Sequence, residues 1–363
     1  MTQEDRVDLI SSRKLEHLEL ALHGDAEASL GLSWNDVRLI HNCLPESDLA
    51  DVDLQTEFLG QRLAAPVWIT GMTGGHERAA QINRRLAIAA ERHGLAMGLG
   101  SQRAGLFDPR LMATYRVARD AAPRAVLIAN IGAPQLVPQG DTPPLELVDI
   151  RAIVRSVEAQ ALAIHLNFLQ EVVQPEGDRS ASGVLSAIGE VVRSVGVPVM
   201  VKETGAGIAR EQARSLQQAG VAAIDVGGAG GTSMVKIEGA RDGQRKNGHV
   251  SVAEAFGQWG IPTTASILET RGCGVPIIAT GGVRSGVDAA RAIALGASAV
   301  GVGLPFLMAA DAGDAELDSA IQRFLMELRG ALFLTGSGTP GELRTQGAVV
   351  LGELANWKAQ RGL

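Results

Sequence analysis

Cysteine is scarce in this chain. Cys43 and Cys273 lie far apart in 363 residues and in no metal-like spacing, which leaves no basis for a disulfide framework or a zinc site and makes a reducing cytoplasm the expected compartment. Aromatic residues make up only 3% with a single tyrosine, so a surface for stacking nucleic-acid bases is unsupported. Positive charge is in deficit too. A formal net charge of −7 argues against nucleic acid or an anionic membrane as partner, and any phosphate must be held by a local cluster. The N-terminal MTQEDRVDLISSRK has no apolar core, so no signal peptide is expected there. No GxGxxG opens a strand–turn–helix unit with an acid downstream, which leaves a Rossmann dinucleotide site unsupported. One uncharged stretch, residues 292–310, is long enough to span a bilayer. Gly296, Gly301, Gly303 and Pro305 break it into helix end, strand and loop, the pattern of a buried parallel strand.

Glycine, in contrast, is abundant at 44 residues, within a chain that is 46% hydrophobic. That combination suits a large core with many strand-to-helix turns passing close to a ligand. PIIATGGVRSGVDAARAIALGASAVGVGLPFL, from Pro276 to Leu307, reads as strand, glycine turn, amphipathic helix and second strand. Such a βαβ unit brings backbone N–H groups to an anion at a helix N-terminus, although Gly281 and Gly282 could also serve only a tight turn. The same strand-then-helix pattern recurs along the chain. Strands are expected at residues 66–70, 95–99, 126–129, 161–166, 199–202, 223–226, 277–280 and 299–302. Eight of them alternating with helices predict an α/β fold, a single (β/α)8 TIM barrel over residues 61–363 with an N-terminal extension over 1–60.

Polar residues and glycines gather where these strands end, the face on which barrel sites are built. They are Gly71, Met72 and Thr73; Ser101, Gln102 and Arg103; Asn130; His165, Asn167, Gln170 and Glu171; Lys202; residues 227–232; residues 281–284; and Gly303. Lys202, behind an apolar VPVMV, is costly to bury unless it meets an anion or an electron-rich ring. Asn130 could equally bond neighbouring backbone, and Glu171 could either bind a divalent ion or pair with Arg179. Upstream, Ser11 or Ser12 is expected to cap a helix through RKLEHLELAL, on which Arg13, Lys14 and His17 share an arc of about 100°. That face is either an anion site or a solvated basic helix end. Residues 234–250, long, charged and glycine-bearing, read as a lid after strand 6 or an insertion without a role. A phosphate cup at strands 7 and 8 with a lysine at the mouth is the arrangement by which barrels hold FMN, and the second, more basic cluster suits a diphosphate.

RKLEH, MTGG, AMGLGSQRA, HLNFLQEVVQPEGDR, VKETGAGI, IDVGGAGGTS and ATGGVRSGVDAARAIALGA together give the chain a specific resemblance. Over nearly its whole length it resembles the type 2, FMN-dependent isopentenyl-diphosphate isomerases. It departs from them at Phe168, where the family often has proline, and at Met234, where it often has tryptophan. The resemblance implies FMN contacts at Gly71, Met72, Thr73, Ser101, Asn130, Lys202, Thr232, Gly282, Val283, Arg284, Gly303 and Leu304. It implies substrate contacts at Arg13, Lys14, Ser101, Gln102, Arg103, His165 and Asn167, with His17 on the same helix face. Gln170 would stand at the hydrocarbon end and Glu171 on Mg²⁺; Gln170, Lys202 and His165 are the residues expected to act in catalysis. The implied reaction interconverts isopentenyl and dimethylallyl diphosphate by 1,3-allylic proton transposition, with FMN reduced by NADPH acting as acid and base. No obvious buried carboxylic acid stands in the motifs to do that work. The family also forms homo-tetramers or octamers. The competing function on the same barrel is an FMN-dependent oxidoreductase resembling a 2-hydroxy-acid oxidase.

Overall fold

Eight short apolar runs pair side by side, each parallel to the next, and the last returns to the first. They are β1 (Val67–Ile69), β2 (Ala96–Gly98), β3 (Val126–Gly132), β4 (Ala161–Leu166), β5 (Val199–Glu203), β6 (Ala223–Asp225), β7 (Ile277–Thr280) and β8 (Ala299–Val302), closed into a barrel. The computed structural model describes residues 3–24, 26–28, 34–245 and 250–363. All eight expected strands are present. β3 runs on to Gly132 because Asn130, Ile131 and Gly132 continue the ladder with Ala163, Ile164 and His165 of β4.

Side chains alternate along each strand, so every second residue enters the barrel. Trp68, Ala96, Ile128, Ala163, Met200, Ala223, Ile278 and Ala299 form an apolar inner layer. Two residues further along five of these strands, the inward positions are Asn130, His165, Lys202, Asp225 and Thr280. The interior is therefore dry below and polar above. The lower end is stoppered by a hairpin, Thr56–Phe58 with Gln61–Leu63, whose Phe58 and Leu63 join the inner layer. Phe58 lies 6.3 Å from Trp68, centroid to centroid. This hairpin straddles the boundary expected at residue 60. The uncharged stretch over residues 292–310 resolves into the end of a helix, β8 and the helix Leu304–Ala312. Among the described residues no helix is long and apolar enough to cross a membrane.

One expectation needs correction. The N-terminal helix runs from Gln3 to His23, so both Ser11 and Ser12 fall inside it and neither caps it. No glycine or proline interrupts residues 3–23, and nothing in that stretch stops helix propagation. The segment read as a lid or an insertion is largely helical, Met234–Arg245 and then Val250–Phe256; residues 246–249 lie outside those described. One of its glycines serves packing: a Cβ at Gly239 would sit 2.6 Å from the Ala253 Cβ, so the bare position lets the second helix close on the first. Val235 and Ile237 are buried there.

Candidate active site

The strand tips and the N-terminal helix enclose one cavity of about 300 Å³. Its lining brings together Arg13, Lys14 and His17 from the helix, Ser101 and Arg103 after β2, and Asn130, His165, Asn167, Gln170, Glu171 and Lys202. On the other side stand Gly71, Met72, Thr73, Thr232, Gly282, Val283, Arg284, Gly303 and Leu304. Gln102, and Ala229 and Gly230 within the 227–232 run, are absent from this wall. Gln102 is the one of them expected to contact substrate. It is fully buried, its Oε1 accepting the Asn130 N–H at 3.0 Å, so it holds Asn130 and does not face the cavity.

The glycine side is built for close backbone approach. Gly282 has φ of +74°, and a Cβ there would lie 2.2 Å from the Gly230 carbonyl oxygen; one at Gly231 would lie 2.6 Å from the Gly282 nitrogen. Two loops thus interlock in a way only glycine permits, beside the helix Gly286–Leu295. A largely enclosed loop with few side chains at this point leaves backbone N–H groups open to a phosphate group. Residues 26–28 brace the cradle: Ala28 N–H donates to Gly231 O at 2.8 Å and Ser233 N–H to Ala26 O at 2.6 Å. Arg284 reaches Glu27 at 2.8 Å.

The opposite side is cationic and largely dehydrated. Burial, with Arg13 and Arg103 nearby, pulls the Lys14 ammonium down to about 8. Burial also lowers His165 well below the usual imidazole range, and the charges of Lys202, Lys14 and Arg103 lower it further. Its tautomer follows from its neighbours. Asn130 donates from Nδ2 to Leu99 O at 2.9 Å, which leaves Asn130 Oδ1 as the acceptor 2.9 Å from His165 Nδ1. The proton therefore sits on Nδ1 and Nε2 keeps its lone pair. The backbone reading of Asn130 holds, since its amide nitrogen bonds Leu99 O, and the residue also lines the cavity.

Glu171 does not pair with Arg179 through its side chain. Arg179 donates to the backbone carbonyls of Glu171 and Gln174, at 3.1 and 2.9 Å. The carboxylate instead accepts from Asn167 Nδ2 at 2.6 Å and from the Asp178 N–H at 2.8 Å. Burial raises its affinity for protons. Among the described residues no group of three or more His, Cys, Asp or Glu side chains is placed to hold a metal.

Sequence reasoning fell short on three further carboxyls that lie at or under this cavity. Glu203 lines it, and its Oε2 accepts the N–H groups of Thr204 and Gly205 at 2.6 Å and that of Ala206. Burial pushes it up to about 7 against those hydrogen bonds. Asp225 is pushed up to about 6 by burial, opposed by Lys202. Glu238 accepts from Gln170 Nε2 at 2.7 Å, lies 2.9 Å from His17 Nε2 and pairs with Arg241. Burial alone would raise Glu238, yet His17, Arg241 and Gln170 hold it down at about 2. Each is an acid within a stretch already singled out for another reason, Glu203 in VKETGAGI, Asp225 in IDVGGAGGTS and Glu238 in residues 234–250. The one legible signal was an acid directly after the strand-end lysine.

Residues 154–349 match the family model described as FMN-dependent dehydrogenase. The isopentenyl-diphosphate delta-isomerase of Methanothermobacter thermautotrophicus is 46% identical over 355 residues, covering 98% of this chain and 97% of the relative. That of Archaeoglobus fulgidus is 46% identical over 352 residues, covering 97% and 99%. Among solved structures, a Pediococcus acidilactici protein described as a lactate oxidase superposes with a TM-score of 0.64 at 16% identity, covering 95% and 94%. A mandelate oxidase variant gives 0.60 at 19%, covering 95% and 99%. These two share the fold. Identity near one half along both whole chains says more, and on that footing the protein belongs to the type 2, FMN-dependent family of isopentenyl-diphosphate delta-isomerases.

Proposed function

We propose that the chain interconverts isopentenyl and dimethylallyl diphosphate by 1,3-allylic proton transposition, with FMN and a diphosphate held at once in the single cavity. What carries this reading is the division of that cavity into a glycine cradle on one side and a cluster of Arg13, Lys14, His17, Arg103, His165 and Asn167 on the other. One phosphate needs only one of the two. The flavin phosphate would rest on Gly282, Val283 and Arg284, with Lys202, Thr73, Asn130 and Thr232 along its body. Reduced FMN, when bound, supplies a group that gives and takes back a proton; NADPH is the reductant proposed.

The chain's own residues bind, orient and exclude water. Carbons next to a double bond are weak acids and bases, so a proton moves to or from them only at close range in a dry pocket. Arg13, Lys14 and Arg103 would fix the diphosphate, and Mg²⁺ at Glu171 would complete its shell from phosphate oxygens and water, as that ion commonly does. Gln170 has its Nε2 committed to Glu238, so its carbonyl oxygen is what the amide offers toward the hydrocarbon. His165 would face the substrate as a neutral imidazole in the wall of the cavity. On this reading residues 1–60 act as an extension that supplies basic residues to the barrel, and the protein works as a cytoplasmic homo-oligomer.

The test is anaerobic incubation of the chain with FMN, NADPH, Mg²⁺ and isopentenyl diphosphate, with chromatography of the products. Dimethylallyl diphosphate formed only when the flavin is reduced supports the reading. Oxidation of lactate or mandelate in a parallel aerobic arm, with no isomer formed, would replace it with the 2-hydroxy-acid oxidase alternative.

A further inference from the structure

Beneath the cavity floor lies a carboxylate to which the mechanism above gives no task. Asp225 ends β6 with no exposed surface, in register beside Lys202 of β5. Both side chains enter the barrel one layer above Met200 and Ala223. The two differ in one respect: Lys202 lines the cavity and Asp225 does not. The carboxylate is held at both oxygens, by Thr280 Oγ1 donating to Oδ2 at 2.9 Å and by the Gly227 N–H donating to Oδ1 at 3.2 Å. Thr280 in turn keeps its place because Gly301 has no Cβ, which would fall 2.1 Å from the hydroxyl. Neighbouring strands thus fix one negative charge directly under the cavity. An isolated buried carboxylate is costly, and so is an isolated buried ammonium; each reduces the other's cost.

We propose that Asp225 is a positioning residue for Lys202, the buried counter-charge that keeps this lysine a cation turned into the cavity. Lys202 is otherwise in poor surroundings for a charge. Burial lowers its affinity for protons, and only Asp225 first and Glu203 second oppose that. The titratable groups around it are Asp225 on β6, Glu203 next along β5 and His165 in register on β4. Glu203 already has three N–H donors on one oxygen, and His165 stays neutral in these surroundings. Asp225 is the partner left to hold the charge.

What Lys202 faces in the complex rests on the flavin reading, whereas the titration of its amine needs no cofactor, so the two can fail separately. In the full cofactor-free chain, trace acetylation across pH 6–10 with mass spectrometry of the Lys202 peptide gives the midpoint at which the amine becomes reactive. Asp225→Asn is expected to move that midpoint down by a full pH unit or more; an unmoved midpoint overturns the proposal. With FMN bound, the sign of the potential shift is a second readout that a merely structural role would not produce. Measured at a pH between the amine midpoints of the variant and the parent, loss of the lysine's charge removes the cation nearer the flavin and makes the midpoint potential more negative. A more positive potential would mean that Lys202 stays charged without Asp225, which also overturns the proposal. Should Asp225→Asn not fold, Thr280→Val strips one donor from the carboxylate and is expected to shift Lys202 in the same direction by less, with no shift counting against it.

Discussion

Lys14 gives the sharpest test of the cationic side. Burial, then Arg13 and Arg103, hold its ammonium at about 8 in the free protein. A diphosphate brings negative charge to the same place and must raise that value. By ordinary titration about nine tenths of Lys14 is charged at pH 7 and about one tenth at pH 9. If the complex keeps Lys14 charged throughout, the dissociation constant for isopentenyl diphosphate rises about tenfold from pH 7 to pH 9, or about 1.4 kcal/mol. Binding at pH 9 takes up close to one proton. Lys14→Gln removes both effects and weakens binding at pH 7 by about ten- to a hundredfold, the worth of a hydrogen bond to a charged group. The assay is titration calorimetry of the FMN-loaded protein at pH 7, 8 and 9, in buffers of different ionisation heat so that protons are counted. A dissociation constant that stays flat with no proton uptake, or a Lys14→Gln variant with the parent's pH slope, would refute the reasoning.

Gly282→Ala forces a side chain into φ of +74° and toward the Gly230 carbonyl. The left-handed backbone alone costs about 1–2 kcal/mol, so FMN affinity, followed by quenching of flavin fluorescence, should fall about tenfold or more. Arg241→Met leaves the carboxylate of Glu238 buried without its cation, since both side chains are almost wholly enclosed. A loss of about 3–5 kcal/mol in urea unfolding is expected, and a loss below about 1 kcal/mol would show that the pair is not a net support. Phe58→Ala opens the stopper at the far end of the barrel and should cost about 3–5 kcal/mol, with the FMN dissociation constant unchanged. A weakened FMN site in that variant would mean that the two ends of the barrel are not independent.

The barrel was legible because its strands are apolar runs at strand length, closed by glycine turns, and the polar residues follow them. The ends of β3 and of the N-terminal helix were less so. Both continue through residues, Asn130 in one and Ser11 and Ser12 in the other, that favour termini when they stand alone but do not stop an element that has partners. Gln102 and Ser101 look alike in sequence, each polar and just past a strand. Only the fold turns Gln102 inward to the Asn130 backbone while Ser101 meets the cavity. In the charged segment after β6, Glu238 and Arg241 stand three residues apart with nothing in the sequence to pair them; in the folded chain they pair with each other out of water, and Arg241 also reaches Glu16. The buried acids show the same limit. Whether an acid is enclosed depends on neighbours distant in the chain, such as Thr280 for Asp225.

The measurement that bears most directly on the account is a crystal structure of the reduced, FMN-loaded chain with isopentenyl diphosphate and Mg²⁺. The account predicts both ligands in one cavity, the flavin phosphate on Gly282–Arg284 and the diphosphate among Arg13, Lys14 and Arg103, with Gln170 against the hydrocarbon. A diphosphate seated in the glycine cradle in place of FMN, or the two ligands excluding each other, would contradict it.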